Sequence, residues 1–294
     1  MTKPRIFTCT GTVLPVMDEI EAARFTAREG FAGMEIQCNP LGLWPTTAPR
    51  STIDELIAIG DGEGIDYTFY PSGLLNPATE LPEERARNEE FLKYSVDLAQ
   101  RLGSPMLCIH PGVAEKLFSL ERKGVPFESD RFDRDRLLTD ARNRAVESIA
   151  EWAGTAAQAD LIIPVENEGH VHHTVAPTAA LLRDMVETAG CDNVKVNLDT
   201  GHAFINEGLK EEFTVLRDAI VHVHLNDGRK MGVSEHLSLG EGVADFSPMA
   251  GFMNTFGGAL VLEIYAPDRP LEATLESRDF ILDVVAQRRK PEDK

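Results

Sequence analysis

Four residues whose side chains can bind a metal ion or move a proton occur in the second half of the sequence. Each one closes a short run rich in Val, Leu and Ile, which is typical of a buried β-strand. The four are Glu166, Asp199, His224 and Glu263. Three carboxylates and one neutral imidazole form an oxygen-rich donor set that suits a hard divalent cation. Without a cation the carboxylates would repel one another, so the residue types indicate a divalent metal site if the fold brings them together.

Each of these residues also has a purely structural interpretation. A glutamate at a strand end is commonly solvated or paired with a basic residue. An aspartate before Thr-Gly, as Asp199 is, often caps backbone amides in a turn. His222 competes with His224 for the ligand position; we expect His222 to face the helix layer and His224, nearer the strand tip, to be the ligand. The occurrence of four such residues on successive strands favours the functional interpretation.

The rest of the chain shows which elements must position these residues. Short apolar runs alternate with longer amphipathic runs eight times along the 294 residues. Strands are predicted at 5–10, 33–37, 66–70, 105–110, 161–166, 194–199, 220–225 and 259–263. Eight strand–helix units predict a parallel sheet with right-handed crossovers. We therefore predict a single α/β domain over residues 1–294, a (β/α)8 TIM barrel, in which the last strand residues meet at the C-terminal face.

An open, doubly wound sheet is the alternative architecture. It would require a glycine-rich phosphate-binding turn after the first strand, where this chain has only Thr10-Gly-Thr. Helices are predicted at 18–29, 51–63, 82–102, 130–155, 178–189, 210–217, 246–256 and 271–289, with Ser51 as the cap of the second. A long irregular loop follows the fourth strand at about residues 111–130, and loops of this length commonly cover or line binding sites.

The composition excludes several classes of partner. Lys and Arg number 29 against 48 Asp and Glu, which gives a net charge of −19. So acidic a surface repels nucleic-acid phosphates and anionic membranes, and we expect neither as a partner. No apolar run approaches the ~20 residues of a membrane span, and no secretory signal follows the first residues. The four cysteines lack C-x-x-C spacing, so we expect free thiols and a cytoplasmic location.

Motifs around the candidate residues resemble those of the xylose-isomerase-like barrel superfamily. They are Glu166-Asn-Glu-Gly, Leu198-Asp-Thr-Gly-His-Ala, His222-Val-His-Leu-Asn-Asp, Leu239-Gly-Glu-Gly and Leu262-Glu. Glu35 in Gly33-Met-Glu-Ile, Asn76-Pro, and Ala99-Gln-Arg-Leu-Gly extend the resemblance over nearly the whole chain. That superfamily includes sugar phosphate isomerases and epimerases, hydroxypyruvate isomerases, inosose dehydratases and the endonuclease IV branch.

The resemblance to the epimerases implies roles for individual residues. It assigns the metal to the four residues named above, with Mn²⁺ as the expected ion and Mg²⁺ or Co²⁺ as alternatives. It makes Glu166 and Glu263 the proton-transfer pair, acting on a ketose or keto-sugar through a metal-bound enediolate. The candidates for substrate binding are His202, His110, His236, Arg229 and Tyr70. The expected partner is a small sugar, and a homo-oligomer or a complex with a second subunit remains open.

A lyase or dehydratase that acts on an oxidised sugar or keto-glycoside, including the C-glycoside-cleaving type, is the alternative function. Elimination begins with the same removal of a proton, so the metal ligands do not distinguish the two. The additional histidines His110, His202 and His236 favour this alternative, because one of them could protonate a leaving group. A non-catalytic subunit with a degenerate barrel is a third class, and the complete set of ligand residues argues against it.

An endonuclease with three zinc ions is the most remote alternative. The positions that match its ligands are Asp199, His202, His224, His110 and His236. However, Tyr70 stands where that branch has a zinc-binding histidine, and Ser234 stands where it has an aspartate. Together with the net charge of −19, these two differences argue against a DNA-repair enzyme.

Overall fold

Seven parallel strands form the centre of the molecule, as a computed structural model shows. The structure describes residues 3–14, 16–38, 42–71, 74–122, 133–169 and 173–287. The strands are β1 (Ile6–Cys9), β2 (Gly33–Gln37), β3 (Asp66–Tyr70), β4 (Ile163–Glu166), β5 (Val194–Asp199), β6 (Ile220–Leu225) and β7 (Ala259–Leu262). They are hydrogen-bonded in the order β3-β2-β1-β7-β6-β5-β4, which leaves β3 and β4 at the two edges.

The segment from Met106 to Ile109 joins these two edges and closes the sheet. It pairs with β3 through a parallel bridge between Leu107 and Phe69. On its other side, parallel bridges link Met106 to Ile162 and Ile109 to Val165, in and just before β4. The ring of strands is therefore continuous, as the predicted barrel requires.

The fourth predicted strand, 105–110, is present only as these isolated bridges. The Ser104 hydroxyl donates to the carbonyl of Met106 at 2.6 Å and accepts from the amide of Met106 at 3.3 Å. Backbone hydrogen bonds to β4 continue on both sides of Pro164, but Pro164 has no amide hydrogen to donate to this segment, so the ladder is interrupted there. The segment nevertheless carries His110 to the same face of the barrel as the other strand ends.

Helices surround the strands. They are α1 (Thr10–Val13), α2 (Glu19–Arg28), α3 (Arg50–Glu63), α4 (Pro82–Arg101), α5 (Glu115–Arg122), α6 (Arg134–Ala157), α7 (Ala179–Ala189), α8 (Thr200–Asn206), α9 (Leu209–Leu216), α10 (Ala250–Met253) and α11 (Pro270–Gln287). Helix α3 illustrates the packing, since Ile53, Leu56 and Ile59 recur at helical spacing and are buried. Among the residues that the structure describes, no helix is both long and apolar enough to cross a membrane.

Several helical predictions were wrong. Helix α5 occupies part of the stretch predicted as an irregular loop at 111–130, whose residues 123–130 lie outside the described ones. Ser51 is not the cap of α3, because Pro49 has an extended backbone and the helix begins directly after it. The predicted helix 246–256 is reduced to a 3₁₀ turn at Ser247–Met249 and the short α10. The four cysteines are free, as predicted.

Candidate metal and proton-transfer site

The four candidate ligands meet at the C-terminal ends of β4, β5, β6 and β7. One donor atom from each of Glu166, Asp199, His224 and Glu263 lies within 4.8 Å of every other. Strand register explains the meeting, because Asp199 pairs with His224 across β5 and β6, and the amide of Glu263 donates to Leu225 of β6 at 3.2 Å. Glu166, Asp199 and His224 are buried, whereas the Glu263 side chain is 13% exposed. The cluster is therefore closed below and open on the side of Glu263.

Several buried polar atoms at the centre of this cluster have no hydrogen-bond partner among the described residues. They are Nδ1 of His224, Oε1 of Glu166 and Oε2 of Glu263. Nδ1 of His224 lies 3.3 Å from Oε2 of Glu166 and 3.1 Å from Oε2 of Glu263. A buried polar atom without a partner is costly, and a divalent cation among these atoms would satisfy them. The donor set and its unpartnered atoms therefore fit such an ion.

Glu35 of β2 lies behind His224, on the inner side of the barrel. Its Oε1 is 2.9 Å from Nε2 of His224, and its Oε2 is 2.6 Å from Nε2 of His222. A neutral His224 with its proton on Nε2, beside this carboxylate, would present the lone pair of Nδ1 to the cluster. Burial raises the pKa of Glu35, but His224 and His222 lower it to about 2. Thr68 also donates to Oε2 of Glu35, at 3.1 Å.

The expectation that His222 faces the helix layer was wrong. Both His222 and His224 contact Glu35, and their rings lie edge to face with centroids 5.2 Å apart. The physical reason is that residues two apart on a strand share a face. His222 is thus part of the polar interior beneath the cluster, and His224 is the one that reaches the strand tips.

Asn167 contacts both Asp199 and His202. Its Oδ1 accepts from the amide of Asp199 at 2.6 Å, and its Nδ2 donates to the Asp199 carbonyl at 3.0 Å. Its own carbonyl lies 3.0 Å from Nδ1 of His202. Asp199 also caps α8, because its Oδ1 accepts from the amide of His202 at 2.6 Å, and its Oδ2 accepts from Asn226 at 2.6 Å. The capping interpretation of Asp199 and its membership in the cluster are thus both correct.

His110 and Tyr70 lie beside the cluster, close to Glu166 and His224. Nδ1 of His110 lies 2.6 Å from Oε2 of Glu168, and Nε2 lies 3.8 Å from Oε2 of Glu166 and bonds the Tyr70 hydroxyl. Burial lowers the pKa of His110, but Glu168 and Glu166 raise it to about 9. Burial also lowers the pKa of His202, while Asp199 and Glu166 raise it to about 10. Glu168, which is buried here, is not among the predicted site residues.

His236 lines the open side of the cluster. A cavity of about 340 Å³ is bounded there by residues including Gln37, His236, Glu263 and Tyr265. The His236 ring is edge-on to that of His202, with centroids 5.2 Å apart. Its φ of 47° is in the left-handed region, which is uncommon for a residue other than glycine and occurs often at functional sites. A larger cavity of about 570 Å³, beside Trp44, is lined by none of the four candidate ligands.

Two residues near this loop lie apart from the cluster. Arg229 pairs with Glu235 at 3.2 Å and its side chain is 57% exposed, so its role in substrate binding stays a prediction. Asp227 instead organises the loop that carries His236. Its Oδ1 and Oδ2 accept four backbone amides, from Gly228 at 2.8 Å, Gly240 and Gly242 at 3.0 Å, and Ala244 at 3.1 Å. Among the described residues, the groups of three or more potential ligands all include His224.

The family follows from comparison with known proteins. The family model described as "Xylose isomerase-like TIM barrel" matches residues 23–284. The chain belongs to this family, which confirms the predicted fold class and the resemblance of its motifs.

Individual relatives are more distant. The chain is 26% identical to D-psicose 3-epimerase of Enterocloster bolteae over 218 residues, which cover 73% of this chain and 65% of that enzyme. It is 27% identical to inosose dehydratase of Erwinia tasmaniensis over 221 residues, or 66% of this chain and 69% of that one. A crystal structure of the IolI protein with a bound zinc atom superimposes with a TM-score of 0.76 at 17% identity, covering 96% of this chain and 98% of IolI. That likeness concerns the fold.

Proposed function

We propose that this protein is a divalent-metal-dependent sugar isomerase or epimerase that acts on a ketose or keto-sugar. The observation that carries the proposal is the placement of two glutamates beside one buried histidine. Oxygens of Glu166 and Glu263 lie 3.3 and 3.1 Å from Nδ1 of His224, and both residues have a second oxygen that Nδ1 does not contact at these distances. Such a pair can remove a proton from one position of a substrate and return it at another.

The residues that would hold the ion are Glu166, Asp199, His224 and Glu263. A bound divalent cation would supply Lewis-acid polarisation of a carbonyl group and thereby acidify the adjacent C–H bond. We propose Mn²⁺ as the native ion, because three carboxylates and one imidazole suit it; Mg²⁺ and Co²⁺ are the alternatives.

The remaining roles in the proposed reaction are assigned to individual side chains. Burial raises the pKa of Glu166, but His224 and His202 lower it well below its ordinary value, so that its carboxyl group is ionised. Asn197 donates to Oε2 of Glu166 at 3.1 Å and fixes its orientation. We assign the binding of substrate hydroxyls to His202 and His236, and to His110 if its bond with Tyr70 opens. Return of the proton to the opposite face of the same carbon gives an epimer, and return to the neighbouring carbon gives an aldose–ketose isomer.

Elimination is the second candidate function. It is favoured by the pairing of His110 with Glu168 at 2.6 Å, next to Glu166, since a histidine there could protonate a leaving group. The similarity to an inosose dehydratase points the same way. Both candidates require a proton to be removed by one of the two glutamates.

Proton exchange in deuterated water tests the proposal. Protein loaded with Mn²⁺ is incubated with a panel of ketoses and keto-sugars, and C–H loss is followed by NMR. We expect exchange and conversion of at least one sugar, and loss of both in Glu166→Gln and Glu263→Gln. The exposed Glu272 of α11 provides the control variant Glu272→Gln, which should retain activity. Full activity of Glu166→Gln would rule the proposal out.

An absorbance assay separates the two candidates. A lyase acting on keto-glycosides releases an aglycone or forms an enone, which absorbs in the ultraviolet, whereas an epimerase returns the substrate skeleton intact. Absorbance change without epimer formation would favour elimination.

A further inference from the structure

Gln37 closes β2 and reaches the open side of the site. Its Nε2 donates to Oε1 of Glu263 at 3.3 Å. The other oxygen of Glu263, Oε2, lies 3.1 Å from Nδ1 of His224. The two oxygens of this carboxylate therefore have different surroundings, one at the metal-ligand cluster and one at Gln37. Since Oε2 faces the proposed ion, Oε1 is the oxygen that would remain for proton transfer.

The position of Gln37 is fixed by two neighbours in α1. The backbone amide of Gln37 donates to Oγ1 of Thr10 at 2.9 Å. Its side-chain oxygen packs directly on Gly11, where an added Cβ would lie 1.7 Å from Oε1 of Gln37. A side chain at position 11 would therefore force the Gln37 carboxamide to move from its contact with Glu263.

A side-chain amide also contacts the other glutamate. The buried Asn197 donates to Oε2 of Glu166 at 3.1 Å, the oxygen that faces His224, whereas Gln37 donates to the Glu263 oxygen that does not. A primary amide carries no charge and takes no proton at neutral pH, so it can orient a carboxylate without competing for the proton. Gln37 is half-buried and lines the cavity, and it is therefore the one of the two amides that a bound substrate can meet.

We propose that Gln37 is a positioning residue for Glu263, and that Gly11 makes this placement possible. The inference rests on the proposed function, in which Glu166 and Glu263 serve different faces of the substrate. Loss of the Gln37 amide should leave Oε1 of Glu263 without its donor and slow only the proton transfers that Glu263 performs. Transfers by Glu166 should continue.

The test compares Gln37→Leu, Gln37→Asn and Gly11→Ala with wild-type protein, and with Gln100→Leu on the exposed face of α4 as the control. Each partner of an interconverting epimer pair is incubated separately in deuterated water with Mn²⁺. Deuterium in the recovered substrate and formation of product are both measured. A side chain of Asn is too short to span the contact, so Gln37→Asn should behave like Gln37→Leu while keeping an amide in the cavity.

We expect product formation to fall about tenfold in both directions, as for loss of one hydrogen bond to a charged group. From the epimer whose proton Glu166 removes, deuterium should still enter the recovered substrate near the wild-type rate. From the other epimer, deuterium entry should fall together with product formation. The ratio of exchange to conversion therefore becomes direction-dependent, which general damage to the fold would not produce.

Three outcomes would overturn the inference. The first is equal slowing of exchange from both epimers, and the second is unchanged conversion in Gln37→Leu and Gly11→Ala. The third is a loss of Mn²⁺ affinity by calorimetry in Gln37→Leu that matches the loss of rate, because Gln37 would then act on the ion site. Absence of exchange in wild-type protein is a separate result, since it removes the proposed function and this inference with it.

Discussion

Replacement of Glu212 by Gln should make the protein more stable at alkaline pH. Glu212 belongs to α9 in the helix layer around the strands, and its side chain is fully buried. Its Oε2 accepts a hydrogen bond from Asn167 at 2.9 Å. Burial raises the pKa of this carboxyl from 4.5 to about 7, against the lowering effect of Asn206 and Asn167. A carboxyl whose pKa is raised in the folded state stabilises the fold fully below its unfolded pKa. That contribution is lost as the pH rises through about 7.

The magnitude follows from the two pKa values. A change from 4.5 to about 7 corresponds to ~3 kcal/mol of free energy of unfolding that the wild type loses with rising pH. Glutamine has no such titration, so the stability difference between Glu212→Gln and wild type should grow by ~3 kcal/mol from about pH 5 to about pH 9. Asn167 also contacts Asp199 and the His202 ring. The Glu212→Gln variant therefore also tests whether the charge of Glu212 affects the candidate site.

Urea denaturation of metal-free protein over this pH range measures the effect. The neighbouring Glu211 is exposed in the same helix, and Glu211→Gln is the matched control, with an expected profile parallel to that of the wild type. A Glu212→Gln profile that is also parallel to the wild type would contradict this prediction, because Glu212 would then titrate alike in the folded and unfolded states.

Three further predictions concern the loop, the histidine and the ion. Asp227→Ala should lower the free energy of unfolding by about 3 kcal/mol in urea denaturation, because it leaves four backbone amides without their acceptor; an unchanged midpoint would contradict this. Glu35→Gln should weaken Mn²⁺ binding roughly 10–100-fold by calorimetry, as expected for loss of the carboxylate behind a metal-binding histidine; an unchanged affinity would dismiss that role. Burial lowers the pKa of His224, but Glu35 and the neighbouring glutamates raise it well above its ordinary value. Mn²⁺ must therefore displace a proton, so its affinity should fall as the pH is lowered, and calorimetry in buffers of different ionisation enthalpy should show proton release. A pH-independent affinity would count against it.

Much of the fold could be predicted because hydrophobic periodicity is a local signal. Strands β2, β3, β5 and β6 have the predicted bounds, since each is a run of β-branched, aromatic or aliphatic residues between polar turns. The strand predicted at 105–110 pairs with both neighbours, but only through isolated bridges, because Pro164 of β4 has no amide hydrogen to donate and the Ser104 side chain bonds the backbone of Met106. Competition of this kind depends on the rotamer of one side chain, which hydropathy does not reveal.

The ligand cluster was predictable because the order of strands in a barrel brings their tips together. The supporting residues were not, because their contacts cross the barrel between positions far apart in sequence. Glu35 and His222 are 187 positions apart, and Gln37 and Glu263 are 226 apart. Asn167 and Gln37 also belong to residue types that are common on surfaces, so only the fold reveals what they hold.

Anomalous diffraction at the manganese edge from crystals soaked in Mn²⁺ would locate the ion. We expect one strong peak bounded by Glu166, Asp199, His224 and Glu263, with Nδ1 of His224 facing the ion. A peak elsewhere in the chain, or none among these four side chains at saturating Mn²⁺, would contradict it.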